Sequence, residues 1–207
     1  MGDAAFWDRV ARRYAARPVR DAAAYETTLE RTAAHLTGAQ DVLELGCGTG
    51  ATALRLAAHV GRLTGCDTSS EMIKIAGERL AEDGAQNVVF RRCDAFDPTF
   101  EPESFDAVLA FNLLHLLEDR PATLERVRVM LRPGGVLISK TICIGRGALH
   151  FRMLLGALRL AGLAPGGFGF MTPRDLEAQI IAARFEIVET GTYPARPPAR
   201  FIVARKS

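Results

Sequence analysis

Asp41-Val42-Leu43-Glu44-Leu45-Gly46-Cys47-Gly48-Thr49-Gly50-Ala51 is the stretch that decides the fold. A short apolar run, Asp41 to Leu45, breaks into glycines, and a helix-like run from Ala51 to Val60 follows. A strand that stops in glycines and restarts as a helix is how α/β folds build a cradle for a nucleotide. Glycine supplies positive φ at such a turn and lets the backbone approach a ligand. The helix start adds N–H groups that have no partner inside the helix. Working outward, the chain alternates. Strand 62–67 leads to helix 70–82, strand 88–93 to a loop rich in Pro, Asp and Glu, and strand 105–111 to helix 121–131; Pro133-Gly134-Gly135 is the turn into strand 136–143. Such alternation predicts a parallel sheet covered on both faces. Upstream, Asp3 to Ala16 reads as a helix ended by Pro18. Asp21 caps a second helix that reaches about Leu36 and stops at Gly38. Downstream, Thr172 caps a last helix, with Pro173 at its first position and Asp175 in its first turn. Phe185 to Tyr193 and Arg200 to Arg205 are two β-like runs separated by Pro194, Pro197 and Pro198, which predicts an antiparallel hairpin.

The glycines do not by themselves name a ligand. Gly46, Gly48 and Ala51 satisfy the dinucleotide fingerprint. Gly50, however, adds a third glycine at alternate spacing, and Glu44 lies on the strand two residues before the turn. A carboxylate facing a pyrophosphate would repel it. A cationic ligand with an amino group and no phosphate, such as S-adenosylmethionine, would not be repelled.

These residues resemble the class I S-adenosylmethionine-dependent methyltransferases, in particular the small-molecule, ubiquinone-methyltransferase-like group. Glu44 to Gly50 is similar to that family's first motif, and Asp67 to the acidic end of its second strand. Cys93-Asp94-Ala95 resembles the motif beside the adenine. Phe105 to Phe111, running into Asn112-Leu113-Leu114-His115, resembles the fourth strand, and Leu131 to Lys140 the fifth. The motifs stand in order over about 39–145, half of the chain; the opening Phe6-Trp7-Asp8 with Tyr14 resembles the group's first helix. The resemblance implies an α/β, doubly wound, mostly parallel seven-stranded sheet of order 3-2-1-4-5-7-6 with a C-terminal antiparallel hairpin. It implies a single domain: lid helices at 1–38, a cofactor-binding core at 39–145, an apolar insertion at 146–172, and the last helix and hairpin at 173–207. The cofactor would be S-adenosylmethionine, leaving S-adenosylhomocysteine. Its implied contacts are Glu44, Gly46, Cys47, Gly48, Gly50, Asp67, Thr68, Met72, Asp94, Ala95, Asn112 and Tyr14. Asp67 would accept the ribose hydroxyls; Asp94 and the Ala95 N–H would hold the adenine. Met72 would pack on the adenine face, Glu44 and the Asn112 backbone would bind the methionine amino group, and Tyr14 and Trp7 would cover the site.

Several of these residues have plainer readings. Asp67 could cap helix 70–82, a task open equally to Thr68, Ser69 and Ser70; Asp94 could be a turn aspartate and Met72 a core methionine. His115 is the best candidate base, because it follows the fourth strand at the crevice rim and histidine ordinarily titrates near neutral pH. Its plainer reading is an ordinary helix residue. His150 and Tyr193 are weaker candidates, and Lys140 lies in a strand facing either way.

Composition narrows the partners. The chain has 207 residues, 48% hydrophobic and 24% charged, with a net charge of +2, which fits one ordinary globular domain and excludes an extreme electrostatic partner. Cys47, Cys66, Cys93 and Cys143 form no C-x-x-C pair and no zinc spacing; they read as small buried residues in a reducing cytoplasm. No metal constellation, targeting segment or membrane-length apolar run is apparent. Within the resemblance, Asn112-Leu113-Leu114-His115 stands where methyltransferases of nucleic-acid exocyclic amines carry an Asn/Asp-Pro-Pro-aromatic loop, which disfavours nucleic-acid bases as acceptors, and the clustered Arg9, Arg12, Arg13, Arg17 and Arg20 read as a solvated face. Three roles stay open for the insertion: cap over a partly apolar small molecule, homodimer contact, or membrane-surface patch. A short-chain dehydrogenase would need a Tyr-x-x-x-Lys pair, and none of Tyr14, Tyr25 and Tyr193 has lysine four residues on. An inactive cofactor-binding regulatory protein is the remaining alternative to an enzyme.

Overall fold

A computed structural model describes residues 4–36, 40–145 and 169–207, together with 153, 156, 158, 164 and 166. Two helices, α1 (Ala4–Ala15) and α2 (Ala22–Ala33), precede the sheet. The sheet then alternates with helices: β1 (Asp41–Leu45), α3 (Ala51–Leu56), β2 (Arg62–Asp67), α4 (Ser70–Asp83), β3 (Val88–Arg92), β4 (Phe105–Phe111), α5 (Arg120–Met130), β5 (Leu131–Ile142), α6 (Pro173–Ala182), β6 (Phe185–Ala195) and β7 (Pro198–Lys206). The seven strands stand in the order β3-β2-β1-β4-β5-β7-β6. β1 to β5 pair in parallel, and β7 pairs antiparallel with both β5 and β6, which is the arrangement the resemblance implies.

Side chains alternate across the strands, so each face gathers its own core. Leu43, Leu45, Val108, Ala110 and Leu137 pack with α5 and α6. Val42, Leu109, Ile138, Phe201 and Val203 pack on the other face with α2 and α3. Each fully buried leucine contributes roughly 1.5–3 kcal/mol relative to exposure, so the two layers fix the sheet. The helix starts follow the sequence signals. Asp21 accepts the Ala24 N–H at 2.9 Å. Thr172 and Asp175 form a reciprocal capping box ahead of α6. Gly38, the expected stop of the second helix, lies outside the described residues, as does most of 146–168, including His150.

The Pro133-Gly134-Gly135 segment is a correction. It is not a turn before the fifth strand but an irregularity within it, because β5 already pairs at Leu131 opposite Phe105. Arg132 holds this end, its guanidinium reaching Asp106 at 2.6 Å and Asp41 at 3.0 Å. These ion pairs stitch the starts of β1, β4 and β5, opposite the ends at which the glycines lie.

Candidate active site

The glycine loop joins β1 to α3, and its three glycines divide the work. All have positive φ: Gly46 at 66°, Gly48 at 54° and Gly50 at 75°. A Cβ on Gly50 would lie 2.5 Å from the Phe90 ring and one on Gly46 2.8 Å from Leu113, so both positions are filled by the protein itself. A Cβ on Gly48 would meet nothing within 4 Å. Gly48 therefore marks the open side of the cradle. The Cys47 N–H donates to the Cys66 carbonyl at 2.9 Å, tying the loop to the end of β2.

Asp67 closes β2 beside this loop. Its carboxylate accepts the Gly48 N–H at 3.0 Å and the Ser69 N–H at 2.9 Å. Burial pushes its pKa above the ordinary value, against the pull of these N–H groups. It is not the cap of α4, because Ser69 fills that role with its hydroxyl on the Met72 N–H at 3.2 Å. Thr68 follows Asp67, its carbonyl taken by the Arg92 guanidinium at 3.1 Å.

Glu44 is the least expected group in the core. It is 2% exposed, and its Oε2 has no hydrogen-bond partner. Burial, and then the neighbouring Asp67 charge, push its pKa up to about 8. At neutral pH the unliganded protein thus holds this carboxyl protonated, and a buried amino cation would turn it into a carboxylate. Asn112 follows β4, which lies beside β1. Its φ of 52° is unusual for a non-glycine residue, and its N–H donates to the Lys140 carbonyl at 2.7 Å, fixing the bend. Asp94 accepts the Phe96 N–H at 2.7 Å, so it makes a turn, and buried Ala95 follows it. Met72 is buried in a cluster with Ala11 and Ile75, against Trp7, the packing of a core methionine beside α1.

The α1 helix is fastened to this cradle through Asp8, Arg12 and Arg79, whose partners the sequence did not reveal. Asp8 accepts the Ser69 hydroxyl at 2.6 Å and the Glu71 N–H at 3.0 Å, reaching from α1 to the start of α4. These bonds hold its pKa below the ordinary carboxylate value. Arg12 pairs with Glu78 at 2.7 Å, so one of the clustered arginines is spent on α4. Arg79 spans farther: it donates to the Thr49 hydroxyl at 2.6 Å and to the Ala15 carbonyl at 3.1 Å, linking the glycine loop to the end of α1. Tyr14 stands edge-on to Trp7 and is 45% exposed as a whole; burial about its hydroxyl, and then the Asp67 charge, raise its pKa. The only advance signal of the clasp was the acidic residue in Phe6-Trp7-Asp8.

His115 lies in a short 3-10 turn, Leu114–Leu116, that packs against β5. It is 4% exposed, and its carbonyl accepts the Gly169 N–H at 2.6 Å. Burial, and then the Arg120 charge, lower its pKa from the ordinary histidine value to about 4. The ring is therefore neutral at pH 7. Lys140 faces α2, where its ammonium donates to the Thr28 hydroxyl at 3.0 Å, and burial lowers its pKa. Tyr193 packs on Phe201 at 6.1 Å, within the α2-side core. All four cysteines are free thiols. Cys66 and Cys93 are close enough to hydrogen-bond, with Cys47 nearby, while Cys143 lies under α6.

The residues present fit the cofactor implied by the resemblance: an open face at Gly48, a carboxylate at Asp67 and an orphaned buried acid at Glu44. Comparison with known proteins agrees. Residues 42–135 match a sequence family described as a methyltransferase domain. The O-methyltransferase rstn1 of Aspergillus nomiae is 30% identical over 152 residues, covering 72% of this chain and 66% of that protein. A ubiquinone biosynthesis O-methyltransferase of Paracidovorax citrulli is 27% identical, covering 77% of this chain and 68% of its own. The chain also matches the highly reducing polyketide synthase sthA of Phaeosphaeria nodorum at 30% identity, but spans 5% of that protein's length. Among solved structures, the YcgJ protein of Bacillus subtilis superposes with a TM-score of 0.72 at 18% identity, covering 87% of this chain and 98% of that one. Ordered motifs, sheet order and sequence similarity converge: the chain belongs to the class I S-adenosylmethionine-dependent methyltransferases.

Proposed function

We propose that this protein binds S-adenosylmethionine in the cradle between β1, β2 and β4 and transfers its methyl group to a small, partly apolar acceptor in the cytoplasm. The observation that carries the proposal is Glu44, a fully buried acid beside the glycine loop with an oxygen left for a cation. A pyrophosphate-binding cradle would not place an acid there. Four free thiols accord with a reducing compartment. Among the described residues, no helix is long and apolar enough to cross a membrane.

When bound, the cofactor supplies an activated methyl group and its own leaving group, so the protein's task is positioning and exclusion of water. Asp67 accepts the ribose hydroxyls alongside its bonds to Gly48 and Ser69. Asp94 and the Ala95 N–H take the adenine edge. Glu44 and the Asn112 carbonyl receive the amino group, and Tyr14 covers the ribose side. His115, neutral at pH 7, offers a ring nitrogen to a proton leaving an oxygen or nitrogen acceptor. The methylated atom of the acceptor is an oxygen, a nitrogen or a carbon.

The test is calorimetric titration with S-adenosylhomocysteine, with NADH and NADPH run in parallel. Saturable binding of the first alone is expected; binding of a nicotinamide alone would overturn the proposal.

A further inference from the structure

Ser139 and Thr141 lie two residues apart on β5 and point to the same face of the sheet. That face also carries Leu137, Ala110 and Ile202 and is packed by α5 and α6. Both side chains are 0% exposed, and neither hydroxyl has a hydrogen-bond partner. In register, Ser139 lies between Ala110 of β4 and Ile202 of β7, neither of which offers a side-chain polar group. Two orphaned hydroxyls in one core are unusual, because a buried polar group is normally paired. Valine or alanine would fill these positions without the cost.

Their position is informative. They occupy the half of β5 toward its C-terminal end, where open α/β sheets bind ligands, and the turn bearing His115 packs against the same strand. Cα atoms two apart on a strand are separated by roughly 6.5–7 Å. One oxygen atom between the two side chains could therefore accept from, or donate to, both. Charge narrows the class. The neighbouring wall is apolar, and Arg200, the cation opposite Thr141, is already paired with Glu177 at 2.7 Å. A carboxylate or an ammonium buried here would go uncompensated, whereas a neutral oxygen would not.

We infer that Ser139 and Thr141 are specificity-determining residues that hold the neutral hydroxyl oxygen of a phenol in an otherwise apolar acceptor. This rests on the methyltransferase reading above and extends it to the acceptor.

The experiment titrates the S-adenosylhomocysteine-loaded protein with three probes of similar length: 4-pentylphenol, hexanoic acid and hexylamine. The phenol is expected to bind saturably and more tightly than the other two. In Ser139→Ala and Thr141→Val, phenol affinity should fall at least 10-fold, S-adenosylhomocysteine affinity should be unchanged, and the unliganded variants should melt no lower than the parent. Unchanged phenol affinity in the variants, preference for the acid or the amine, or no phenol binding at all would overturn the inference. So would variants that melt lower, since the hydroxyls would then be satisfied by a structural water. Failure of the parent to bind S-adenosylhomocysteine would instead strike the methyltransferase reading.

Discussion

At the scale of single residues, Glu44 and Gly48 are the sharpest tests of the cradle. Because Glu44 is held protonated up to about pH 8, seating a cation against it at pH 7 must expel a proton. Titrations with S-adenosylhomocysteine in buffers of different ionisation heat should register release of close to one proton. Glu44→Gln should abolish that release and weaken binding at least 10-fold; proton uptake, or none in the parent, would contradict the assignment. The glycines should separate cleanly. Gly50→Ala drives a methyl into the Phe90 ring and should cost several kcal/mol, the sum of overpacking and left-handed strain of about 1–2 kcal/mol. Gly48→Ala carries the strain alone and should fold, yet lose ligand because its methyl enters the open side. Asp67→Ala should likewise fold without binding ligand, and retained affinity would count against its ribose role. His115→Ala should slow transfer by ~100-fold while barely changing S-adenosylhomocysteine affinity. In the parent, the acid limb of the rate should fall near pH 4, not near 6.5. A limb at the ordinary histidine value would mean that another group carries the proton.

At the scale of elements, strands and helices were legible and the ties between them were not. β1, β2 and β4 could be read because a buried parallel strand is a short apolar run between turn signals, and α6 because Thr172, Pro173 and Asp175 spell its start. The early start of β5 was hidden, since Pro-Gly-Gly reads as a turn and only Arg132, reaching across to Asp41 and Asp106, shows that the strand has already begun. Asp8 and Arg79 were hidden for the same reason: their partners lie 63 and 64 residues away in Glu71 and Ala15, beyond any local pattern. His115 could be placed but its titration could not, because burial and Arg120 come only with the fold. The α1 clasp yields its own prediction. Asp8→Ala and Arg79→Ala should each loosen α1, increasing proteolysis of the first 20 residues and weakening S-adenosylhomocysteine binding, while far-UV circular dichroism of the remainder is preserved. Unaltered proteolysis would show that Phe6, Trp7 and Met72 hold the helix without the polar ties.

For the molecule as a whole, Glu44 and His115 impose opposite pH dependences on stability. The folded chain raises Glu44 from 4.5 to about 8, so it binds more protons than the unfolded chain in that interval, and the stability from this group is lost as pH rises through it. His115 is lowered from 6.5 to about 4, so the unfolded chain binds more protons there, and stability falls as pH drops through that window by up to about 3 kcal/mol. The two slopes oppose each other where the windows overlap. The unliganded protein should therefore melt highest in mildly acidic solution; Glu44→Gln should flatten the alkaline side and His115→Ala the acid side. The Arg79 bridge carries a further consequence. Trp7, the single tryptophan of the chain, stands in α1 between Phe6 and Tyr14, and Arg79 couples the end of that helix to the glycine loop. Whatever enters the cradle pulls on the helix that bears the indole, so the protein contains its own optical reporter, and intrinsic fluorescence can follow occupancy without a label.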